Sequence, residues 1–311
     1  MEAASLGAWI GNGATATRDT TQFHGGAASL VATARTATWQ GVAQSLLPAV
    51  TAGALSSGDI LYVTAWARVS TASDTVSISS DLGVSGTGVT GHAYTVTNTA
   101  WTQISQLVPV VWATTPTTIK LFFQGPASGT DLYLDDVTVT KVPNIITNGG
   151  FENGTTGWTG NGGTLTASTT TPFAGTATAS VTNRVDEWNG TLQSLTSSVV
   201  SGARVAMTAW VRVTPVVAAT ALPASPSDRI SGNLTLSGGS LAATNYFEIV
   251  NKTITATDLG VWVPLLTTWD ERVLPTWTTA PTGADFYIKG LVGGTAWNIE
   301  VDSVTVGLIA P

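Results

Sequence analysis

The sequence predicts an all-β protein built from two tandem β-sandwich domains. Three observations point to this: a repeat running the length of the chain, strands of period two, and turn-forming clusters every ten residues or so. The length agrees, because 311 residues make two domains at about 150 each.

In chain order, Trp9-Ile10-Gly11-Asn12-Gly13 returns as Trp158-Thr159-Gly160-Asn161-Gly162, an offset of 149. Phe23 and Gly25 match Phe173 and Gly175 at an offset of 150. Arg35, Trp39, Gly41, Gln44, Ser45 and Leu46 return as Arg184, Trp188, Gly190, Gln193, Ser194 and Leu195. Thr64-Ala65-Trp66-Ala67-Arg68-Val69 matches Thr208-Ala209-Trp210-Val211-Arg212-Val213, and Trp101 matches Trp262. Leu134-Asp135-Asp136-Val137-Thr138-Val139 closes copy one as Val301-Asp302-Ser303-Val304-Thr305-Val306 closes copy two. The boundary falls near Pro143, giving domains 1–142 and 143–311. Val63, Ala65, Ala67 and Val69 alternate with Tyr62, Thr64, Trp66 and Arg68, the pattern of a half-buried strand. No window carries a helical stripe, so helix is expected only in short turns.

Composition excludes much. Only 10% of residues are charged, against about 25% in an ordinary soluble domain, while 33 Gly, 13 Pro and Thr/Ser-rich stretches fill the polar share. Cys is absent and the two His are His24 and His92, which removes thiolate chemistry, disulfides and Cys/His zinc sites. A net charge of −7 with 12 scattered basic residues offers no footprint for nucleic acid or an anionic membrane. No apolar run reaches the ~18 residues of a membrane-spanning helix. Met1-Glu2-Ala3-Ala4-Ser5-Leu6-Gly7 has no apolar stretch, so no signal peptide is expected in this chain.

The segment Asn144-Ile145-Ile146-Thr147-Asn148-Gly149-Gly150-Phe151-Glu152-Asn153-Gly154, followed by Gly157-Trp158, resembles the opening of a carbohydrate-binding module of the family 4/9/22 type. The closing Tyr133-Leu134-Asp135-Asp136-Val137 is similar to the same group, as are Arg35 to Gly41 and Thr64 to Val69. The resemblance implies a jelly-roll sandwich of two antiparallel sheets, one of them concave, often with a structural Ca2+. Copy one departs by lacking the Asn144–Asn148 strand, which leaves a sheet edge open to another chain. Ser303 in place of Asp136 is the second departure.

A neutral sugar is held by flat rings flanked by polar groups, so Trp, Tyr and Arg are the candidates. Strand parity turns Trp66 with Arg68, and Trp210 with Arg212, away from the core, either as a cleft floor or beneath a covering loop. Trp39 with Arg35 and Trp188 with Arg184 either line a sugar cleft, as the resemblance implies, or seal the end of the sandwich. Asp186 and Glu187 add acceptors that copy one lacks. Tyr133 is a further candidate, replaced by Glu300 in copy two. The resemblance also places calcium ligands at Glu152 and Asp302, with Asp135 and Glu2 as copy-one counterparts. The alternative for these acids is a capping or surface role.

One such cleft gains roughly 1–2 kcal/mol per stacked ring and about 1 kcal/mol per hydrogen bond, against an association cost of at least about 4. Binding near 0.01–1 mM is expected, roughly, with tandem copies recovering affinity. The carboxylate pairs Asp186-Glu187 and Asp270-Glu271 are adjacent on the chain, so on strands they point to opposite faces and form no glycosidase dyad. The expected function is therefore non-catalytic binding of a polysaccharide or cell-surface glycan. The expected setting is a virion decoration or tail appendage, or an extracellular surface, beside other virion or assembly proteins or further copies of the chain. The competing reading is a purely structural protein on the same fold.

Overall fold

The structure is a computed structural model that describes residues 6–81, 89–216, 229–267, 272–291 and 296–311. Its contacts divide it into two units, the first ending at Lys141 and the second beginning at Val142.

Unit one runs β1 (Trp9–Asn12), β2 (Thr15–Asp19), β3 (Ser29–Thr33), β4 (Gly41–Ser45), α1 (Leu47–Thr51), β5 (Ile60–Val69), β6 (Ser73–Asp81), β7 (Val89–Thr90), β8 (Tyr94–Thr97), β9 (Thr102–Pro109), β10 (Lys120–Gln124) and β11 (Leu132–Lys141). One sheet has the order β1-β4-β10-β6-β7, with β8 also on β6, and the facing sheet has β2-β3-β11-β5-β9. This is a jelly-roll: chain neighbours such as β3 and β4 lie in different sheets.

Unit two repeats it with β12 (Thr159–Asn161), β13 (Thr164–Ser168), β14 (Thr178–Thr182), β15 (Gly190–Ser194), β16 (Arg204–Pro215), β17 (Arg229–Ser237), β18 (Asn245–Thr253), β19 (Trp262–Leu266), β20 (Arg272–Val273), β21 (Gly283–Gly290) and β22 (Trp297–Ile309). Its sheets are β12-β15-β21-β17-β18 and β13-β14-β22-β16-β19, with β20 on β16. Among the described residues the helical elements are the short α1, with Pro48 in its first turn, and a three-residue 3-10 turn at Ala256–Asp258, with Ala296 in a 3-10 conformation.

Alternation drives the burial. Val63, Ala65, Ala67 and Val69 of β5 are buried with Ile78, Leu121 and Phe123 of the opposite sheet in one core. Met207, Ala209, Val211 and Val213 of β16 meet Leu234, Phe286 and Ile288 in the other. Each fully buried Val, Leu or Ile contributes roughly 1.5–3 kcal/mol. A bulge interrupts the pairing of β11 with β5 after Asp135, and one interrupts β22 with β16 near Asp302. At both bulges the residue after the Asp is left-handed, Asp136 at φ 47° and Ser303 at φ 52°.

Candidate functional site

The turn entering β4, and its copy entering β15, is built the same way. Arg184 is buried, and its guanidinium donates to the carbonyls of Asn189 (3.0 Å), Asp186 (3.3 Å), Trp297 (3.4 Å) and Gly290. The Asn189 Oδ1 accepts from the backbone N–H of Val185 (2.7 Å) and Asp186 (2.9 Å). Asn161 then donates to the Trp188 carbonyl at 2.8 Å. In unit one Arg35 donates to Gln40 (2.9 Å), Thr130 (2.6 Å), Ala127 (3.1 Å) and Pro126 carbonyls. Gln40 Oε1 takes the N–H groups of Thr36 and Ala37, and Asn12 donates to the Trp39 carbonyl. Gly41 and Gly190 follow because a Cβ there would run into the Phe123 or Ile288 carbonyl.

The result corrects one expectation. Arg35 and Arg184 are not sugar ligands: they are 3% and 1% exposed, with their N–H donors directed at main-chain oxygens. Burial lowers Arg184 to about 10, and desolvation likewise lowers Arg35. What the clamp presents is the indole, since Trp39 and Trp188 are 54% and 53% exposed.

Trp188 overlooks the outer face of β15, β21, β17 and β18. Phe286 and Ile288 of β21 point inward, so Asp285, Tyr287 and Lys289 point outward. Across the register Tyr287 is opposite Asn233, which is opposite Glu248. Trp188, Glu187, Arg229, Asn233, Glu248 and Lys289 line a hollow of about 270 Å³. Lys289 Nζ lies 5.8 Å from the Tyr287 ring centre, and Arg229 is 3.8 Å from the Glu248 carboxylate. Burial, followed by Asp285 and then Tyr246, raises the Tyr287 phenol above its ordinary value. Tyr246, 77% exposed, completes this face from β18. In unit one Phe122 stands in the place of Tyr287 and Gln124 in that of Lys289, opposite Ser79 and Ser77. Sequence reasoning missed Tyr246, Tyr287, Lys289, Glu248 and Phe122, although the inward parity of Phe286 and Ile288 was there to read.

A larger hollow of about 510 Å³ is lined by Thr182, Asn183, Arg184, Val185, Val216 and Asn298. That lining has no aromatic ring, and its guanidinium is already engaged.

The Trp–Arg pairs of β5 and β16 lie on the other sheet of each unit. Trp66 is half-buried under the His24 ring, stacked at 3.8 Å and 12°, with Trp101 edge-on to His24 at 6.1 Å. Trp210 is 6% exposed beneath Phe173 at 3.9 Å and 15°, and Trp262 is edge-on to that ring at 6.0 Å. Arg212 is bound to Glu300 and lies 5.7 Å from the Trp262 ring centre. A cleft floor of Trp66, Arg68, Trp210 and Arg212 is thus corrected to rings covered by a loop, with Arg212 closed by its ion pair. Arg68 and Tyr133 are cross-strand neighbours, each half-buried, on this same face.

The acids hold the covering loop. Asp302 Oδ2 accepts from Phe173 N (2.9 Å) and Ala174 N (3.2 Å), and its Oδ1 from Ser303 N (2.6 Å). Asp135 repeats this with His24 N (2.8 Å), Gly25 N (3.2 Å) and Asp136 N (2.8 Å). Glu152 accepts from Thr176 N, Thr176 Oγ1 and Ala177 N, which hold its carboxyl below the usual range. Burial pushes Asp302 up to about 6 against those hydrogen bonds. A calcium shell needs six to eight oxygens directed at one point, roughly. As placed, Glu152, Asp302 and Asp135 do not fit one: their oxygens face N–H and O–H donors. Among the described residues no three acid or His side chains converge. Glu2 and the pair Asp270-Glu271 lie outside the described residues.

The profile of a family described as a carbohydrate binding domain matches residues 1–129 and again 143–290. Endo-1,4-beta-xylanase A of Thermoanaerobacterium saccharolyticum is 26% identical over 226 residues, 68% of this chain but 19% of that protein, so the chain spans about a fifth of its relative. The tandem CBM22-1–CBM22-2 domain of Paenibacillus barcinonensis Xyn10C is 14% identical with a TM-score of 0.42, covering 100% of this chain and 96% of that one. The C-terminal family 22 module of Clostridium thermocellum Xyn10B is 21% identical with a TM-score of 0.40, over 52% of this chain and 95% of that one. The two matched stretches fall one in each unit, and the chain belongs, twice over, to the carbohydrate-binding domain family.

Proposed function

We propose that the chain is a non-catalytic polysaccharide-binding protein that holds its ligand on the faces bearing Trp39 and Trp188. The duplicated Arg clamp carries this reading. An indole left half exposed adds little to the core, yet in both units the turn beneath it is fixed by a buried guanidinium. The ring is an apolar plate for the C–H face of a sugar, with Glu187, Asn233, Glu248 and Lys289 beside it for the hydroxyls. Xylan is the first ligand to try, because the sequence relative is an endo-1,4-beta-xylanase. One ring per face supports only weak binding, about 0.01–1 mM. The setting that suits it is therefore the outside of a virion or cell, where many copies act together.

Affinity electrophoresis through gels of xylan and other soluble polysaccharides tests the reading. Retardation by at least one glycan is expected, with no release of reducing sugar and with loss of retardation in the Trp39→Ala, Trp188→Ala double variant at unchanged melting temperature. No retardation on any glycan, or full retardation of the double variant, leaves only a scaffold role.

A further inference from the structure

The hollow beside Trp188 holds a half-buried ammonium with no counter-ion. Its lining carries two carboxylates, Glu187 and Glu248, and two cations, Arg229 and Lys289. Arg229 lies 3.8 Å from Glu248, and Asn251 Nδ2 donates to the same carboxylate, so that acid is already occupied. Glu187 is exposed on the turn before Trp188, where water screens it. Lys289 is half-buried and has no ion-pair partner among the described residues.

Its strand neighbours supply no acid. Across the register Lys289 is opposite Gly190 on β15 and Ser231 on β17. The ammonium is instead held near the Tyr287 ring, a contact that fixes its position without neutralising it. A partly desolvated charge costs free energy, and nothing in the described fold returns it. Unit one avoids that cost, because the neutral Gln124 stands in the matching place, opposite Ser77 and bonded to Ser79.

We propose that the unit-two face selects a polysaccharide bearing anionic sugars, with Lys289 as the counter-ion of a carboxylate or sulfate group beside the Trp188 ring. The inference rests on the Trp188 face being the glycan site and adds the class of sugar it takes. The indole is the apolar plate for a sugar ring, and the ammonium, a compact point charge, meets the anion. Gly190 places no side chain between β15 and that charge. The selectivity is local, because a chain of net charge −7 repels a polyanion at long range rather than gathering it.

Three soluble polymers on one backbone test it by affinity electrophoresis: a xylan bearing uronic acid side groups, the same xylan after carboxyl reduction, and the reduced xylan after sulfation. The gels are run at about 0.15 M salt, where charges more than about 8 Å apart are largely screened. The readout is the ratio of affinities, charged polymer over reduced polymer. A ratio of about five or more is expected for the parent chain and for Lys289→Arg with at least one of the two anions, and which anion gives it names the group. Lys289→Met is expected to bring the ratio near one, whatever it does to the neutral polymer. A merely structural role for Lys289 would weaken all three polymers alike. A ratio near one in the parent for both anions, or an undiminished ratio in Lys289→Met, overturns the proposal and leaves glycan binding at Trp188 standing. Retardation by none of the three overturns it as well, together with the choice of xylan as ligand.

Discussion

The ring of His24 lies flat on Trp66 at 3.8 Å, and its Nδ1 is 2.8 Å from the Asp136 carboxylate. In unit two Phe173 takes the place of the His, stacked on Trp210, and Ser303 takes the place of the Asp. The two positions change together, a titratable ring with an acid partner against an apolar ring that needs none. The sequence repeat paired Phe23 with Phe173, but the hydrogen bonds to Asp135 and Asp302 pair His24 with Phe173 instead.

Exchanging the whole device should therefore be tolerated. The double variant His24→Phe, Asp136→Ser is expected to melt within a few degrees of the parent, because the Asp136 side chain is half exposed and such a solvent-exposed polar contact contributes at most about 1 kcal/mol. His24→Ala removes the stacked ring and is expected to destabilise unit one by about 0.5–1.5 kcal/mol or more. Chemical denaturation of the three proteins measures both.

Arg184 and Trp188 lie four residues apart and separate stability from binding. Arg184→Met keeps most of the volume but leaves the carbonyls of Asn189, Trp297 and Gly290 without their donor. Its expected cost is on the order of 3 kcal/mol. Trp188→Ala at an exposed position is expected to shift stability by no more than about 0.5 kcal/mol, while polysaccharide affinity falls about tenfold. Denaturation and affinity electrophoresis on the same two variants read the contrast.

Much of the fold was legible because period two reports which residues share a side of a strand, as Val63 to Val69 did. Period two does not report which sheet of a sandwich a strand joins. Parity therefore leaves Trp66 and Trp39 as two separate candidates without showing that the jelly-roll crossing sends β4 and β5 to opposite sheets. Arg35 and Arg184 were misread for a different reason: Arg is almost never fully buried unless its donors are satisfied. The carbonyls that satisfy these two come from segments about 90–115 residues away, such as Pro126 and Trp297. Tyr287 and Lys289 were within reach of parity reasoning, but the repeat drew attention to Trp and Arg, and Phe122 and Gln124 do not resemble them.

Asp302 makes unit two sensitive to pH. Its folded value near 6 lies above the ordinary 3.8, so the protonated carboxyl favours folding. That contribution is complete below pH about 4 and is lost as pH rises through 6, amounting to about 3 kcal/mol. The unit-two melting temperature is expected to fall between about pH 4 and pH 6 and to level off above that, and Asp302→Asn should flatten the slope whatever it does to the absolute stability. Calorimetry at several pH values reads the slope.

Chelation should leave the fold alone. The oxygens of Asp302 and Glu152 are directed at N–H and O–H donors, and these bonds already tie down the loop that a calcium ion would otherwise hold. Melting curves with added calcium and then with EGTA are expected to superimpose. A rise on adding calcium would mean that the loop reorients its carbonyls toward an ion.

The two faces should not contribute equally to binding. Trp188 shares a hollow with Lys289, Arg229, Glu248 and Asn233, and the same sheet face carries two phenols, Tyr246 and Tyr287. The face near Trp39 offers Phe122 and Gln124, and the Gln124 amide already donates to Ser79 Oγ at 3.0 Å. Hydrogen bonds to charged groups contribute about 1.5–3 kcal/mol and neutral ones about 1, so the unit-two face is the stronger. Calorimetric titration with a soluble polysaccharide is expected to show Trp188→Ala weakening binding several-fold more than Trp39→Ala. Tyr287→Phe gives unit two the ring that unit one carries and removes one hydroxyl, for an expected loss of about fivefold. Equal losses at Trp39 and Trp188 would mean that the rings alone hold the sugar and the polar residues beside Trp188 contribute nothing.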